Sequence, residues 1–268
     1  MTDNIQREIR DIWNQNAAFW DQRGGDNGLI MQRTLIDPSM ERLLDLKPGE
    51  RLLEIACGNG AFARRMAQHP VNIVACDFAA AFIELAKART TENRERIDYR
   101  VIDANDQAAL LTLGTPSGES FDAVCCSMAI MDMAEIDPML RAVRQLLKLH
   151  GRFVFSITHP CFNSGQGIKR VIEQEDKDGE IIDVYAIKIS NYATPTSYKG
   201  LGIIGQPAAQ FYFHRPLNVL FGACFRTGFV IDALEEPTFE SSVNPNRPLS
   251  WDNYREIPPV LIARLRIA

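Results

Sequence analysis

Three carboxylates occur at intervals in the first half of the chain, each at the end of a short apolar run. Glu54 ends RLLE, Asp77 ends VNIVACD and Asp103 ends IDYRVID. Such runs predict strands, and strands that alternate with helical segments predict a parallel sheet. The carboxyl ends of parallel strands meet at one edge, so the three carboxylates are expected to line one ligand site. Carboxylates accept hydrogen bonds well from hydroxyl and amino groups.

A loop of small residues follows Glu54. Ala56, Gly58 and Gly60 alternate with other residues in IACGNGAF, and an alanine-rich segment typical of a helix start comes next. Small residues allow a sharp turn and a close approach of the backbone to a ligand, while free N–H groups at a helix start favour electron-rich groups. The strand, loop and helix together indicate a nucleotide-like ligand.

This loop alone leaves two kinds of cofactor open. Residues 58–63, GNGAFA, satisfy G-x-G-x-x-G/A. Asp77 follows about 20 residues later, where dinucleotide-binding folds keep a ribose-binding acid. This interpretation predicts an NAD-dependent oxidoreductase, but it leaves Glu54 and Asp103 without a role.

Residues 54–60, EIACGNG, resemble the E/D-x-G-x-G-x-G loop of class I S-adenosylmethionine-dependent methyltransferases, with Ala56 at the position of the first glycine. Asp77 and Asp103 complete that family's series of acids at successive strand ends. The segments SITHPCF and FYFHRPLNVLFGACFRTGFVIDALEEP look like parts of a bacterial small-molecule subgroup. The resemblance implies a Rossmann-like fold, S-adenosylmethionine as cofactor and methyl transfer by in-line displacement.

The resemblance also implies roles for individual residues. The loop from Glu54 to Gly60 would pass beneath the methionine part of the cofactor, Asp77 would bind the ribose hydroxyls and Asp103 would meet the adenine amino group. Phe78 is a candidate for stacking on adenine, and Ala104 for offering its backbone amide. The remaining expected cofactor contacts are Ser127 after the fourth strand, Arg33 for the methionine carboxylate, and Trp20, with Trp13 and Phe19, on an N-terminal lid helix.

Strand and helix patterns alternate from residue 51 to residue 158, and the strands are continuously apolar, as when helices cover both faces of a sheet. Expected helices cover residues 3–20, 37–46, 61–68, 79–91, 106–112, 137–149 and 217–227. Asp37 is expected to cap the second of these helices, and Gly151 to end the sixth. The last two strand patterns have no helix between them, which predicts an antiparallel pair. The expected fold is a doubly wound, mostly parallel seven-stranded α/β sheet with the last strand antiparallel.

Residues 159–213 interrupt this alternation. They contain a pattern that predicts a hairpin, IKRVIEQ and IIDVYAIKIS around a turn at residues 176–179, followed by a loop rich in Tyr, Pro and Gly. Because the segment leaves the fifth strand at its carboxyl end, it is expected to cover the ligand edge; a stabilising decoration or a dimer contact is the alternative. The expected division is a helical lid (1–48), a cofactor-binding core (49–158), a substrate cap (159–213) and a C-terminal completion of the sheet (214–268).

Two residues are candidates for catalysis. His159 follows the fifth strand and is the candidate base, and Asp132 follows the fourth and is placed to bind an amine or a hydroxyl. The candidate acceptor contacts are Met128, Met131, Tyr192, Tyr198 and Tyr212, while His214 is expected to cap the helix at 217–227. No D/N-P-P-Y sequence, typical of enzymes that methylate planar amino groups, follows the fourth strand. A small, partly apolar methyl acceptor is therefore expected.

Composition narrows the other possibilities. The 268 residues are 46% hydrophobic and carry a net charge of −5, which disfavours nucleic acid as a partner. The six cysteines show no metal-ligand spacing, and neither a signal sequence nor a membrane-length apolar run is present. A cytoplasmic monomer or homodimer without a metal or a membrane partner is expected. Besides the oxidoreductase, a non-catalytic sensor or scaffold that binds the cofactor stays open.

Overall fold

A seven-stranded sheet forms the centre of the fold, in a computed structural model that describes residues 2–114, 121–240 and 246–268. The strands in chain order are β1 (Arg51–Ile55), β2 (Asn72–Asp77), β3 (Ile97–Val101), β4 (Phe121–Ser127), β5 (Leu147–Thr158), β6 (Ile168–Lys177), β7 (Glu180–Ile189), β8 (Thr196–Gly200), β9 (Gln210–His214), β10 (Phe229–Glu235) and β11 (Val260–Ile267). The helices are α1 (Thr2–Gly24), α2 (Asp37–Leu44), α3 (Ala61–Met66), α4 (Ala80–Arg89), α5 (Gln107–Leu111), α6 (Asp137–Leu146) and α7 (Leu217–Arg226). A π-helical turn, Gln32–Ile36, leads into α2.

The order of strands in the sheet is β10-β11-β5-β4-β1-β2-β3. Strands β1 to β5 pair in parallel, whereas β11 runs antiparallel to both β5 and β10. This arrangement confirms the expected mostly parallel sheet with its last strand antiparallel. The carboxyl ends of β1 to β4 therefore lie side by side at one edge.

Apolar side chains on both faces of the sheet are buried, as the continuous apolar strands predicted. Leu53 and Ile55 belong to one buried cluster, which also includes residues of α6 and α7. Leu52 belongs to a second cluster, with residues of α2 and α3. Successive strand residues point to opposite faces, so β1 contributes to both clusters and its end is held rigidly in the sheet.

The boundary between α6 and β5 differs from the prediction. The helix ends at Leu146, and β5 begins at Leu147 and includes Gly151. Leu147 pairs with Phe121 of β4 and is buried, and the register shifts before Arg152 pairs with Ala123. The prediction that Gly151 ends the helix was wrong because this tertiary pairing decides where the strand begins.

Residues 159–213 form two hairpins rather than one. Strands β6 and β7 pair around a turn at Asp178 and Gly179, as predicted. This hairpin packs beside the C-terminal segment: the Tyr185 ring lies 5.4 Å from that of Tyr254, and Arg170 lies over Trp251. The second hairpin, β8 with β9, falls where the sequence predicted a loop.

Helix α1 lies across the carboxyl edge of the sheet and contacts the second hairpin. The Asn16 side chain donates to the Ala208 carbonyl oxygen and accepts from the Ala208 N–H, each at 2.9 Å. Near the C-terminal end of α1, both carboxylate oxygens of Asp21 bind Arg89 of α4. These contacts place one face of α1 above the ends of β1 to β4.

Candidate functional site

A cavity of about 400 Å³ lies at the carboxyl ends of β1 to β4. The strand ends and the loops after them form its floor, while α1, the π-helical turn and the β8–β9 segment form its other walls. The sequence-predicted residues that line it are Trp20, Glu54, Ala56, Gly58, Asp77, Phe78, Asp103, Ala104, Ser127, Met128, Met131, Asp132 and Tyr212. Those that lie outside its lining are Arg33, Gly60, His159, Tyr192 and Tyr198.

The loop after β1 has a left-handed backbone at alternate residues. The φ angles of Ala56, Gly58 and Gly60 are 58°, 53° and 74°. Glycine adopts this region freely, whereas alanine meets steric strain there. The N–H of Gly60 donates to the carbonyl oxygen of Cys57 at 2.9 Å, which closes the turn. The small residues therefore serve the backbone conformation, as the sequence indicated.

We expect Ala56→Gly to raise the free energy of unfolding by up to about 1 kcal/mol, because relief of left-handed strain of about 1–2 kcal/mol exceeds the entropic cost of glycine. Chemical denaturation measures this change. Ala63→Gly, in the buried interior of α3, is the matched control and should lose about 1 kcal/mol. A loss of stability in Ala56→Gly as large as in the control would contradict the strain argument.

Glu54 is the penultimate residue of β1 and lines the cavity. It is 2% exposed, and its Oε2 is enclosed without a hydrogen-bond partner among the described residues. Burial, and next the negative charge of Asp37, raise the pKa of Glu54 to about 8. Asp37 also lines the cavity, and its carboxylate does not cap α2, contrary to the sequence prediction.

Asp77 ends β2 and is bound to the loops on both sides. Its Oδ2 accepts from the Gly58 N–H at 3.0 Å, and its Oδ1 accepts from the Ala79 N–H at 2.9 Å. Burial raises the pKa of this carboxyl to about 6. Each oxygen retains a lone pair, so the group can accept further hydrogen bonds from a ligand.

Asp103 follows β3 and lies beside Ala104 and Asn105 in the cavity lining. Its Oδ1 accepts from the Asn105 N–H at 2.9 Å, and its Oδ2 binds Arg10 of α1 at 2.6 Å. The side-chain Oδ1 of Asn105 is buried without a hydrogen-bond partner among the described residues. Phe78 contributes its ring to the same part of the lining. This end of the cavity therefore combines aromatic surface with several hydrogen-bond acceptors.

Helix α1 contributes aromatic side chains to the opposite wall. Trp13 and Trp20 line the cavity with their ring centroids 5.9 Å apart, whereas Phe19 lies outside the lining. The Nε1 of Trp20 is buried without a hydrogen-bond partner in the described chain. Arg33 is exposed, and the neighbouring Gln32 lines the cavity instead. The structure therefore does not bring Arg33 to the expected cofactor contact.

The far end of the cavity is formed after β4. Met128, Met131 and Met133 line it together with Asp132, whose Oδ1 accepts from Gln210 Nε2 at 3.3 Å. Burial raises the pKa of the Asp132 carboxyl well above its usual range. A flexible, apolar surface thus surrounds a single carboxyl group.

The three predicted tyrosines have different positions. Tyr212 lines the cavity, and Tyr198 stacks on it with ring centroids 5.3 Å apart but lies outside the lining. Tyr192 accepts the Leu217 N–H through its hydroxyl at 2.9 Å, at the start of α7. Tyr198 therefore supports the cavity wall, while Tyr192 supports the helix start.

His159 is buried, and both of its ring nitrogens have partners outside the cavity. Nδ1 accepts from the Cys161 N–H at 3.1 Å, so Nε2 carries the proton and donates to Glu236 at 2.7 Å. His214 is similarly bound to Ser164 and to the Tyr192 carbonyl oxygen, and it does not cap α7. The local hydrogen bonds leave neither imidazole free to act in the cavity.

Solved structures with the same fold share most of this architecture. An S-adenosylmethionine-dependent methyltransferase from Mesorhizobium loti superimposes with a TM-score of 0.65 at 23% identity, over 85% of this chain and 96% of that one. A second, from Listeria monocytogenes, has a TM-score of 0.60 at 18% identity, over 86% and 97% of the two chains. In addition, the family model described as "Methyltransferase domain" matches residues 53–155.

Curated relatives match part of the chain. The "Ubiquinone biosynthesis O-methyltransferase" of Xanthomonas oryzae pv. oryzae is 30% identical over 138 residues, which are 52% of this chain and 55% of the relative. The protein of that name from Xanthomonas campestris pv. campestris is 31% identical over 109 residues, 41% of this chain and 43% of the relative. The chain thus spans about half the length of the curated relatives it matches.

Residues of the matched segment 53–155 supply the floor of the cavity, and segments outside it supply the remaining walls. Sequence reasoning missed Asp37, Asn105 and Gln210 as lining residues. The Asp37-Pro38 pattern predicted a helix cap instead of a cavity contact. The position of Gln210 depends on the β8–β9 hairpin, which the sequence did not predict. The acidic side chains that line the cavity are Asp37, Glu54, Asp77, Asp103 and Asp132, while no Lys, Arg or His occurs among the described lining residues.

Proposed function

We propose that this protein is an S-adenosylmethionine-dependent methyltransferase that acts on a small, partly apolar acceptor. The observation that carries the proposal is the cavity with five carboxyl side chains and no basic side chain among its described lining residues. A cationic sulfonium favours the ionised forms of these carboxyl groups, whereas the anionic pyrophosphate of NAD finds no basic side chain among the described lining residues. The matched segment 53–155, which forms the cavity floor, supports the same conclusion.

The proposed cofactor contacts agree with the chemistry of the lining. Asp77 accepts the two ribose hydroxyls, and Asp103 accepts from the adenine amino group beside Phe78 and the Ala104 amide. Three buried polar atoms without partners in the described chain, on Trp20, Glu54 and Asn105, belong to this cavity, as expected where a polar ligand binds. A side chain at Gly58 would meet no protein atom within 4 Å, so the loop leaves room for the ligand.

Methyl transfer needs alignment of the two reactants more than it needs a fixed catalytic residue. The bound cofactor supplies a methyl group activated by a sulfonium, which leaves as a neutral thioether. The residues around it hold the reactants in line and exclude water. In this proposal Ser127 stands at the boundary between the cofactor and acceptor ends, since it ends β4 and lines the cavity.

The acceptor binds between Met128, Met131 and Tyr212, with Asp132 as its polar contact. The buried Asp132 carboxyl accepts from an N–H or O–H group of the acceptor and takes its proton when the attack requires one. Its pKa, raised by burial, makes it a stronger base than an ordinary carboxylate. The methionine side chains adapt to the apolar part of the acceptor.

The test is formation of S-adenosylhomocysteine from S-adenosylmethionine with a panel of small amines, alcohols and phenols. We expect turnover with at least one class, and a fall in kcat of about 100-fold in Asp132→Asn through loss of the base. Ser39→Ala, buried outside the cavity lining, is the control and should keep activity. Tight binding of the cofactor without turnover of any acceptor would instead favour a non-catalytic sensor or scaffold.

The proposal extends to the setting of the protein. We propose that residues 1–48 form a lid, residues 49–158 and 214–268 the core, and residues 159–213 the cap, in a cytoplasmic monomer or homodimer. The acceptor is a free small molecule, not nucleic acid or a membrane component, in keeping with the net charge of −5. Among the described residues, no helix combines the length and apolar character required to cross a bilayer.

A further inference from the structure

Two buried amide side chains connect Asp132 with the loop between β8 and β9. Gln210 Nε2 donates to Asp132 Oδ1 at 3.3 Å, and Gln206 Nε2 donates to Gln210 Oε1 at 3.0 Å. Asp132, Gln210 and Gln206 are 8%, 3% and 6% exposed. Polar groups buried to this extent depend on one another for their hydrogen bonds. Gln206 and Gln210 therefore form an amide relay that ends at the carboxyl group of Asp132.

Backbone groups fix the direction of the amide relay. Gln206 Oε1 accepts from the Gly202 N–H at 3.2 Å, and Gln206 Nε2 also donates to the Ala208 carbonyl oxygen at 2.6 Å. A backbone N–H can only donate and a carbonyl oxygen can only accept, so the Gln206 amide has one favoured orientation. It presents a donor to Gln210 Oε1, and this leaves Gln210 Nε2 to donate to Asp132.

The segment after the amide relay also holds the backbone around Asp132. Arg215, which directly follows β9, donates to the carbonyl oxygens of Ile130 at 3.1 Å, Met133 at 2.5 Å and Ala134 at 2.9 Å. These carbonyl groups lie on both sides of Asp132 in the chain, so the guanidinium group fixes the turn that carries it. The amide relay therefore sets the rotation of a carboxyl group whose backbone is already held in place.

We propose that Gln206 and Gln210 are positioning residues that hold Asp132 Oδ1, so that Oδ2 is the atom that takes the proton of the methyl acceptor. This inference rests on the proposed function, in which Asp132 is the base. Oδ2 makes no hydrogen bond with any described residue, and the side chain lines the cavity. An oxygen that already accepts from an amide is the poorer site for a proton.

The atoms and charges of the step balance. The electron pair of the acceptor atom forms the new bond to the transferred methyl group. The bonding pair of the methyl–sulfur bond stays on sulfur, which becomes a neutral thioether, and the acceptor's proton moves to Asp132 Oδ2. The amide relay keeps Oδ1 occupied throughout, and it needs no proton of its own to do so.

The amide relay also favours the ionised form of Asp132. Burial raises the pKa of this carboxyl, whereas the hydrogen bond from Gln210 lowers it. The titratable groups around it are Tyr198 and Tyr212 of the second hairpin and Cys126 of β4. Burial, and after it negative charges that include Asp132, raise the pKa values of all three. These three groups therefore stay neutral while Asp132 titrates.

Titration of the Asp132 carboxyl carbon by carbon-13 NMR, from about pH 4 to about pH 10, tests the inference. The absence of the signal in Asp132→Asn assigns it. Gln210→Met removes the donor with a side chain of similar length, so the midpoint should rise by about one pH unit through loss of a hydrogen bond to the ionised form. Gln206→Met leaves the Gln210 amide free to turn and should cause a smaller rise in the same direction.

Gln174→Met provides the matched control. Gln174 Nε2 donates to Asp183 Oδ1 at 3.2 Å on the exposed β6–β7 hairpin, so this variant should leave the Asp132 midpoint unchanged. An unchanged midpoint in Gln210→Met would overturn the inference. If Gln210→Met does not fold, Gln206→Met decides in the same way. A wild-type carboxyl that stays protonated to pH 10 would also overturn it, because such a group is no base.

Calorimetric titration of the wild type with S-adenosylhomocysteine separates this inference from the proposed function. If the wild type binds this ligand while the Asp132 midpoint is unchanged in Gln210→Met, only the positioning role is overturned and the cofactor proposal survives. Failure of the wild type to bind the ligand would instead overturn the proposed function, and the role of Asp132 as its base with it.

Discussion

Asp77→Asn is expected to weaken binding of S-adenosylhomocysteine by about 100-fold or more, because two charge-assisted hydrogen bonds to the ribose are each worth about 1.5–3 kcal/mol. The Asp77 carboxylate also accepts from the N–H groups of Gly58 and Ala79. An asparagine of the same shape can accept through one atom only and places an amide donor against donors. Loss of the charge therefore affects both the ligand and the loop that approaches it. Calorimetric titration measures the change in Kd.

Asp98→Asn provides the matched control. Asp98 lies on the neighbouring strand β3, is exposed and binds Arg100 at 2.8 Å. An exposed ion pair of this kind contributes little to stability, so this variant should bind the ligand as the wild type does. A Kd for Asp77→Asn within about threefold of the control would exclude the assigned ribose contact, since even one such bond is worth more.

Gly60→Ala and Gly58→Ala are expected to fail in different ways. A Cβ at Gly60 would lie 2.4 Å from the hydroxyl oxygen of Tyr99, which is held by Thr90 at 3.0 Å. We expect Gly60→Ala to lower the free energy of unfolding by about 2–4 kcal/mol through overpacking and left-handed strain. Gly58 has open space around its Cβ position, so its variant loses only about 1 kcal/mol. The methyl group added at Gly58 instead occupies space that the ligand needs, so the affinity for S-adenosylhomocysteine should fall about tenfold or more.

Gly49→Ala controls for backbone strain without an effect on the cavity. Its φ angle is +88°, no atom lies within 4 Å of its Cβ position, and it is outside the cavity lining. Its stability should fall about as far as that of Gly58→Ala, by about 1 kcal/mol, while its affinity for S-adenosylhomocysteine stays unchanged. Equal affinities in the Gly49 and Gly58 variants would show that the loop does not approach the ligand. Chemical denaturation and calorimetry provide the two measurements.

The carboxylates at the strand ends could be predicted from the sequence because their positions follow from local pattern and sheet geometry. Glu54, Asp77 and Asp103 lie at or within two residues of the ends of β1, β2 and β3, and parallel strands bring their carboxyl ends to one edge. The antiparallel last strand could also be predicted from the sequence, since no helix pattern separates β10 from β11. Local signals of this kind do not depend on how distant segments pack.

Some side chains lie elsewhere than the sequence suggested, because their partners are distant in sequence or because the exposed face of their helix changes. The sequence places His159 at the end of β5, but Glu236, 77 residues later, supplies the partner of its Nε2. The π-helical turn before α2 brings Gln32 and Ile36 to the cavity and leaves Arg33 in solvent. The Asp-Pro pattern at residues 37 and 38 predicted a helix cap, whereas the Asp37 side chain is buried and lines the cavity. Such outcomes depend on tertiary contacts that no local pattern encodes.

The central claim is that the acidic cavity binds S-adenosylmethionine and not a dinucleotide. Parallel calorimetric titrations of the wild-type protein with S-adenosylhomocysteine and with NAD test it most directly. We predict binding of S-adenosylhomocysteine with a Kd of about 1–10 μM, about −7 to −8 kcal/mol, and no measurable heat with NAD. Binding of NAD alone would contradict the account and assign Gly58, Gly60 and Asp77 to a nicotinamide-dependent oxidoreductase.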